Sequence, residues 1–109
     1  MKKKVETAYG VIGLGRFGEA LAMMLAQSGH EVIAVDKDEK KVKEMRQYTD
    51  CAFVADNLSS DTLKEIGIQN CDVVIICIGE KVDVSVLTTM SVIEMGVPRV
   101  IAKALSPEQ

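Results

Sequence analysis

Chemistry in this sequence concentrates at the turn Gly13-Leu14-Gly15-Arg16-Phe17-Gly18 and at a lone carboxylate, Asp36. The turn fits G-x-G-x-x-G, a weak signal as a bare string, but it follows the apolar run ending at Ile12 and opens a stretch with helical spacing. In that context Gly13 permits a tight turn, Gly15 leaves no Cβ between backbone and a pyrophosphate, and Gly18 lets helix and strand approach closely. Amides unpaired at the helix N-terminus then face the phosphates. Asp36 closes the second apolar run, Val32 to Val35, about 20 residues on, where a carboxylate accepts hydrogen bonds from a ribose hydroxyl. Its charge repels a 2′-phosphate, which favours NAD-type or adenosine ligands over NADP, although Lys37 beside it partly offsets that repulsion. A guanidinium at Arg16 adds a bidentate phosphate clamp that can distinguish nucleotides by phosphate number.

Ligands of such folds bind outside the carboxyl ends of the strands, so three further loops are expected to line the crevice. Asp56 and Asn57 follow the third strand and either read an adenine edge or only cap the next helix. Gly79, with Glu80 beside it, follows the fourth strand and permits close approach or simply turns the chain. Lys103 ends the fifth strand and either reaches phosphate or ribose or stays solvated.

The elements that must position these residues alternate regularly. Periodicity predicts strands at 8–12, 32–35, 52–55, 73–78 and 99–102 and helices at 16–28, 39–48, 60–66 and 83–95. Phe17, Ala20, Leu21, Met24 and Leu25 fall at i, i+3, i+4, i+7 and i+8, and are expected to pack the first helix on the sheet. Gly29, Gly67 and Gly96 close three of the helices. The run Val73 to Ile78 is apolar at every position, the mark of a strand buried on both faces of a parallel sheet. Right-handed crossovers then give an α/β, doubly wound, Rossmann-like sheet of order 3-2-1-4-5 in a single domain spanning 1–109. The chain stops just after the fifth strand and Ser106-Pro107, and reads as truncated before a sixth strand and a distal C-terminal subdomain.

Composition removes other functions. The formal charge is −3 over 109 residues, which argues against nucleic acid as partner, and the Lys2-Lys3-Lys4 cluster reads as a solubilising tail. No apolar run approaches a bilayer span and no signal peptide is apparent, so the expected location is cytoplasmic. Cys51, Cys71 and Cys77 lack metal-ligand spacing and read as reduced, partly buried side chains. His30, the one histidine, precedes the second strand at the wrong end of the sheet for catalysis. Asp83, Ser85, Thr88 and Thr89 lie on the fourth helix, and no tyrosine-lysine pair at helical spacing suggests a dehydrogenase centre. No catalytic residue and no metal site are expected. That helix is also apolar over more than one face, at Val84, Val86, Leu87, Met90, Val92, Ile93 and Met95, consistent with deep burial, a subunit interface or a seat for a C-terminal segment.

IGLGRFG followed by EVIAVDKD, VADN, VVIICIGE and IAKA resembles the RCK or KTN (TrkA-N) domain over essentially the whole chain. Arginine and phenylalanine inside the glycine turn make this more specific than the generic fingerprint. Such domains regulate Ktr and Trk potassium transporters and some potassium channels from the cytosol. The resemblance implies a homodimer that assembles into a ring, an octamer in the intact family, on a membrane-embedded potassium-translocating subunit. It implies conformational change with bound ATP, ADP or NAD(H). It also implies phosphate and ribose contacts from Gly13, Leu14, Gly15, Arg16, Phe17 and Gly18, and adenosine contacts from Asp36, Lys37, Asp56 and Asn57. Ile78, Gly79, Glu80 and Lys103 would line the rest. Asp56-Asn57 departs from the commoner pattern there. The competing reading from the residues is the cofactor half of an NAD-dependent dehydrogenase.

Overall fold

The computed structural model describes residues 7–79 and 82–103. Glu80, the lysines at 2–4 and the Ser106-Pro107 turn lie outside the described residues. The elements run β1 (Ala8–Ile12), α1 (Arg16–Gln27), β2 (Glu31–Asp36), α2 (Glu39–Met45), β3 (Ala52–Val54), α3 (Ser60–Ile66), β4 (Val73–Ile76), α4 (Val82–Glu94) and β5 (Arg99–Ala102). A short 3-10 turn at Ile68–Asn70, which the sequence pattern did not signal, leads into β4.

The strands form one parallel sheet of order β3-β2-β1-β4-β5, as the apolar run in β4 required. Register aligns Ile12 with both Val35 and Ile76, so β1, β2 and β4 end at the same level, and the loops after them converge. Two apolar clusters lie on opposite faces. One gathers Val11, Leu14, Ala22, Val42 and Met45 beneath α1 and α2; the other gathers Ile12, Val35, Leu63, Ile68, Ile76 and Val92 beneath α3 and α4. Along β1 and β4 neighbouring residues therefore feed alternate clusters, which is why β4 carries no polar position.

Five boundaries move inward, those closing α1 and α4 by one residue each. Beyond Met45 the chain tightens into i→i−3 bonds, with Tyr48 N–H donating to the Met45 carbonyl, so α2 is shorter than its apolar spacing suggested. β4 ends at Ile76 and β3 at Val54, where the chain turns away toward the crevice.

The face of α1 also differs from expectation. Gly18 and Ala22 are buried against the sheet, Leu21 and Leu25 flank them, and Phe17, Ala20 and Met24 are exposed, Phe17 by 44% and Met24 by 59%. The cause is distance. A Cβ at Gly18 would lie 1.9 Å from the Gly13 carbonyl oxygen, so the sheet-facing line of the helix admits only small side chains, and larger ones move to its sides.

Candidate functional site

The carboxyl ends of β1, β2 and β4 open onto a cavity of about 620 Å³, within the range of nucleotide-sized ligands. Gly13 forms its floor with φ of 103°, a conformation that side chains resist, and a Cβ there would meet the Cys77 carbonyl oxygen at 2.6 Å. Gly15 is the first residue before α1, with φ −69° and ψ −167°, and a Cβ on it would meet nothing within 4 Å. Its openness, not its backbone angle, is what a closely approaching anion would use.

The glycine turn is held by β2. Gly13 N–H donates to the Val35 carbonyl at 2.8 Å, and Leu14 N–H donates to Asp36 Oδ2 at 2.6 Å. Asp36 Oδ1 accepts from Asp38 N–H at 2.8 Å, and Asp38 caps α2 by accepting from Lys40 N–H at 2.9 Å. On the third loop Asn57 Oδ1 accepts from Ser59 N–H at 3.1 Å and from the Thr62 hydroxyl at 2.9 Å, while Ser59 itself caps α3. Asn57 thus organises its loop through its oxygen, and Asp56 stands exposed beside it.

Nine expected residues line this cavity together: Gly13, Leu14, Gly15, Asp36, Lys37, Asp56, Asn57, Ile78 and Gly79. Leu14 enters by its backbone alone, because its side chain is in the core and its amide is taken by Asp36. Arg16, Phe17 and Gly18 are not among the lining residues. Arg16 is exposed at the start of α1, and Gly18 sits inside against Gly13. Lys103 holds its ammonium 5.2 Å from the centroid of the Phe17 ring, a cation–π contact between the end of β5 and the glycine turn. It also lines a smaller hollow of about 230 Å³, with Ile78, Gly79, Val82 and Ser85, adjoining the main cavity.

Sequence reasoning missed Asp38, Lys41, Leu58 and Val84, all of which line the cavity. Asp38 and Lys41 were findable: they stand at i and i+3 around the start of α2, and so share the face that Asp36 faces. Val84 enters because α4 begins one residue earlier than its polar start implied.

The cysteines divide. Cys71 and Cys77 are buried and Cys51 is exposed, against the expectation of three partly buried thiols. Burial pushes the thiols of both Cys71 and Cys77 up to about 11; Asp72 adds to the effect at Cys71, and Lys103 opposes it at Cys77. His30 stacks edge-on with Tyr9, ring centroids 5.0 Å apart, at the amino end of the sheet away from the cavity.

A family model described as the TrkA-N domain matches residues 9–109. The Ktr system potassium uptake protein C of Bacillus subtilis is 41% identical over 104 residues, covering 95% of this chain and 45% of that protein. Ktr system potassium uptake protein A of Vibrio alginolyticus is 40% identical over 102 residues, with 94% and 46% covered. The chain therefore spans about half the length of these relatives. Among solved structures, the NAD(P)-binding domain of an exopolyphosphatase-related protein from Archaeoglobus fulgidus superposes with a TM-score of 0.74 at 22% identity, covering 94% of this chain and 76% of that one. At that identity the likeness concerns the fold.

Proposed function

The chain belongs to the TrkA-N family, and on that premise we propose that it is the nucleotide-sensing part of a cytosolic regulatory subunit of a potassium uptake system. The observation that carries this reading is the cavity at the carboxyl ends of β1 and β2. There the open Gly15, the N-terminal amides of α1 and the Asp36 carboxylate surround one space of nucleotide size. The ligand is an adenine nucleotide: ATP, ADP or NAD(H). Phosphates lie against the amides from Gly15 onward, the adenosine ribose against Asp36 and Lys37, and the base toward Asp56 and Asn57. Gly79 closes the remaining side.

This reading is a binding module rather than an enzyme: among the described residues the charged groups lining the cavity, Asp36, Lys37, Asp38, Lys41 and Asp56, end or follow β2 and β3, on the side assigned to ribose and base. Regulation needs differential affinity instead: a nucleotide shifts the assembly only by binding one conformation more tightly. Arg16, exposed at the mouth of the turn, supplies that difference through phosphate charge. The apolar stripe on α4, with Val82 79% and Leu87 64% exposed, is the surface through which copies assemble into a dimer and then a ring. The membrane-embedded potassium-translocating subunit is the ring's partner, which keeps this chain peripheral to the inner face of the membrane. Among the described residues no helix is long and apolar enough to cross a membrane.

Calorimetric titration with ATP, ADP, NADH and NADPH tests the reading. The expected result is micromolar binding of ATP, ADP and NADH, weak NADPH binding, and a loss on Arg16→Ala that is larger for ATP than for NADH. Binding confined to NADH or NADPH and indifferent to Arg16 would instead favour the cofactor half of a dehydrogenase.

A further inference from the structure

We infer that Asp36 is also a positioning residue: its carboxylate holds the phosphate turn in shape, in addition to facing the ribose. The inference takes the ligand class from the reading above and the positioning from contacts within the chain. The end of β2 grips two consecutive amides of the turn, Gly13 through the Val35 carbonyl at 2.8 Å and Leu14 through Asp36 Oδ2 at 2.6 Å. The Leu14 side chain is only 1% exposed, so this residue is fixed by the core on one side and by Asp36 on the other.

The beginnings of the helices show why such a grip is needed. α2 is capped by the Asp38 side chain and α3 by the Ser59 side chain. α1 begins at Gly15, which has no side chain and makes no capping bond, because any Cβ there would stand where an anion must approach. The Asp36 carboxylate, reaching in from the neighbouring strand, fixes the Leu14 amide just ahead of the helix and leaves the first-turn amides of α1 open. It also settles which amides serve a ligand: Leu14 N–H is taken, and the available donors begin at Gly15. Each carboxylate oxygen accepts more than one hydrogen bond, so ribose hydroxyls can join oxygens that already hold Leu14 and Asp38. The ribose end and the phosphate end of the ligand are thereby linked through one side chain.

Inorganic tripolyphosphate, which has phosphates and no ribose, separates the two roles. Its affinity is to be measured by calorimetry on the purified protein, on Asp36→Ala and on Asp36→Asn, with Leu14 amide chemical shift and hydrogen exchange followed by NMR. Removing a negative charge beside the site would by Coulomb's law alone tighten polyphosphate binding. Positioning predicts the opposite sign: about tenfold weaker binding in Asp36→Ala, with Asp36→Asn, which keeps one acceptor oxygen and the side-chain volume, falling between. The Leu14 amide signal would move upfield and lose protection in Asp36→Ala, and part of that protection would return in Asp36→Asn.

Unchanged or tighter tripolyphosphate binding in both variants overturns the positioning role, even if NADH affinity falls, a result that leaves the nucleotide reading standing. Absence of tripolyphosphate binding to the unaltered protein overturns it as well. If tripolyphosphate binds and weakens as expected while ATP, ADP and NADH do not bind, the positioning role holds and the nucleotide reading fails. Should Asp36→Ala not fold, the Asn variant and the Leu14 signal decide the question.

Discussion

The helices α1 and α4 have nearly the same length, 12 and 13 residues, yet they meet the sheet in opposite ways. α1 sets glycine and alanine against β1 and β2 and approaches until a single methyl group would collide with the turn. α4 buries Thr88 and Val92 and leaves Val82, Val86, Leu87, Met90 and Ile93 in the open. The first helix is shaped by the close turn at its N-terminus, where on the reading proposed above backbone amides reach a ligand. The second carries more apolar surface than the sheet beneath it takes up. One side of this domain is specified by close approach, and the other leaves apolar surface exposed.

Gly18→Ala is the sharpest way to break the first half of that comparison. The added carbon would lie 1.9 Å from the Gly13 carbonyl oxygen and 3.0 Å from its carbon, both backbone atoms. α1 must then lift from the sheet, at about 3 kcal/mol or more. The expected outcome is a large fall in melting temperature with loss of nucleotide binding, and a variant as stable as the parent would show that the helix sits farther out.

Gly15→Ala should separate binding from stability. Its Cβ meets nothing within 4 Å and its φ of −69° suits any residue, so thermal unfolding should stay within about 0.5 kcal/mol of the parent. The methyl group nevertheless projects where the phosphates approach, and ATP and NADH affinity should fall about tenfold or more. Undiminished affinity would move the phosphates away from this turn.

These two glycines mark how far the sequence could be read. The G-x-G-x-x-G spacing identified both, the wholly apolar run Val73 to Ile78 implied the parallel sheet, and right-handed crossovers implied its order. The packing face of α1 was misread from the same segment: it runs through Gly18 and Ala22, neither of which the expected series included, and Phe17, Ala20 and Met24 fall on the exposed side. Leu58 was missed for another reason. Leu58 enters the cavity only through how the β3–α3 loop folds back, which no local pattern encodes. Nor does the fingerprint predict that the Asp36 carboxylate, assigned to ribose, already bonds two backbone amides.

The buried thiols probe the two faces of the sheet separately, since Cys77 belongs to the cluster under α1 and Cys71 to the cluster near α3 and α4. Both are raised from 9.0 to about 11, so the folded chain holds each thiol proton more tightly than the unfolded chain does. The resulting stability is fully present below about pH 9 and is lost as pH climbs toward about 11. Melting temperature should fall across that window, and Cys71→Ala and Cys77→Ala should each flatten the fall in part. A thiol reagent at neutral pH should modify the exposed Cys51 first.

The smallest expected change in stability belongs to α4, and there it is the informative result. Leu87 is 64% exposed, so Leu87→Glu removes little buried surface within the chain and should shift unfolding by no more than about 0.5 kcal/mol. If the stripe joins copies, the same substitution sets a carboxylate into an apolar contact, and a carboxylate without a partner there is costly to desolvate. Sedimentation should then show a smaller species than the parent at equal concentration, with nucleotide affinity retained, because Leu87 does not line the cavity. A drop in melting temperature comparable to that of a core substitution, with no change in mass, would mean that α4 stabilises its own domain, and its exposed stripe would no longer set it apart from α1 as a contact surface.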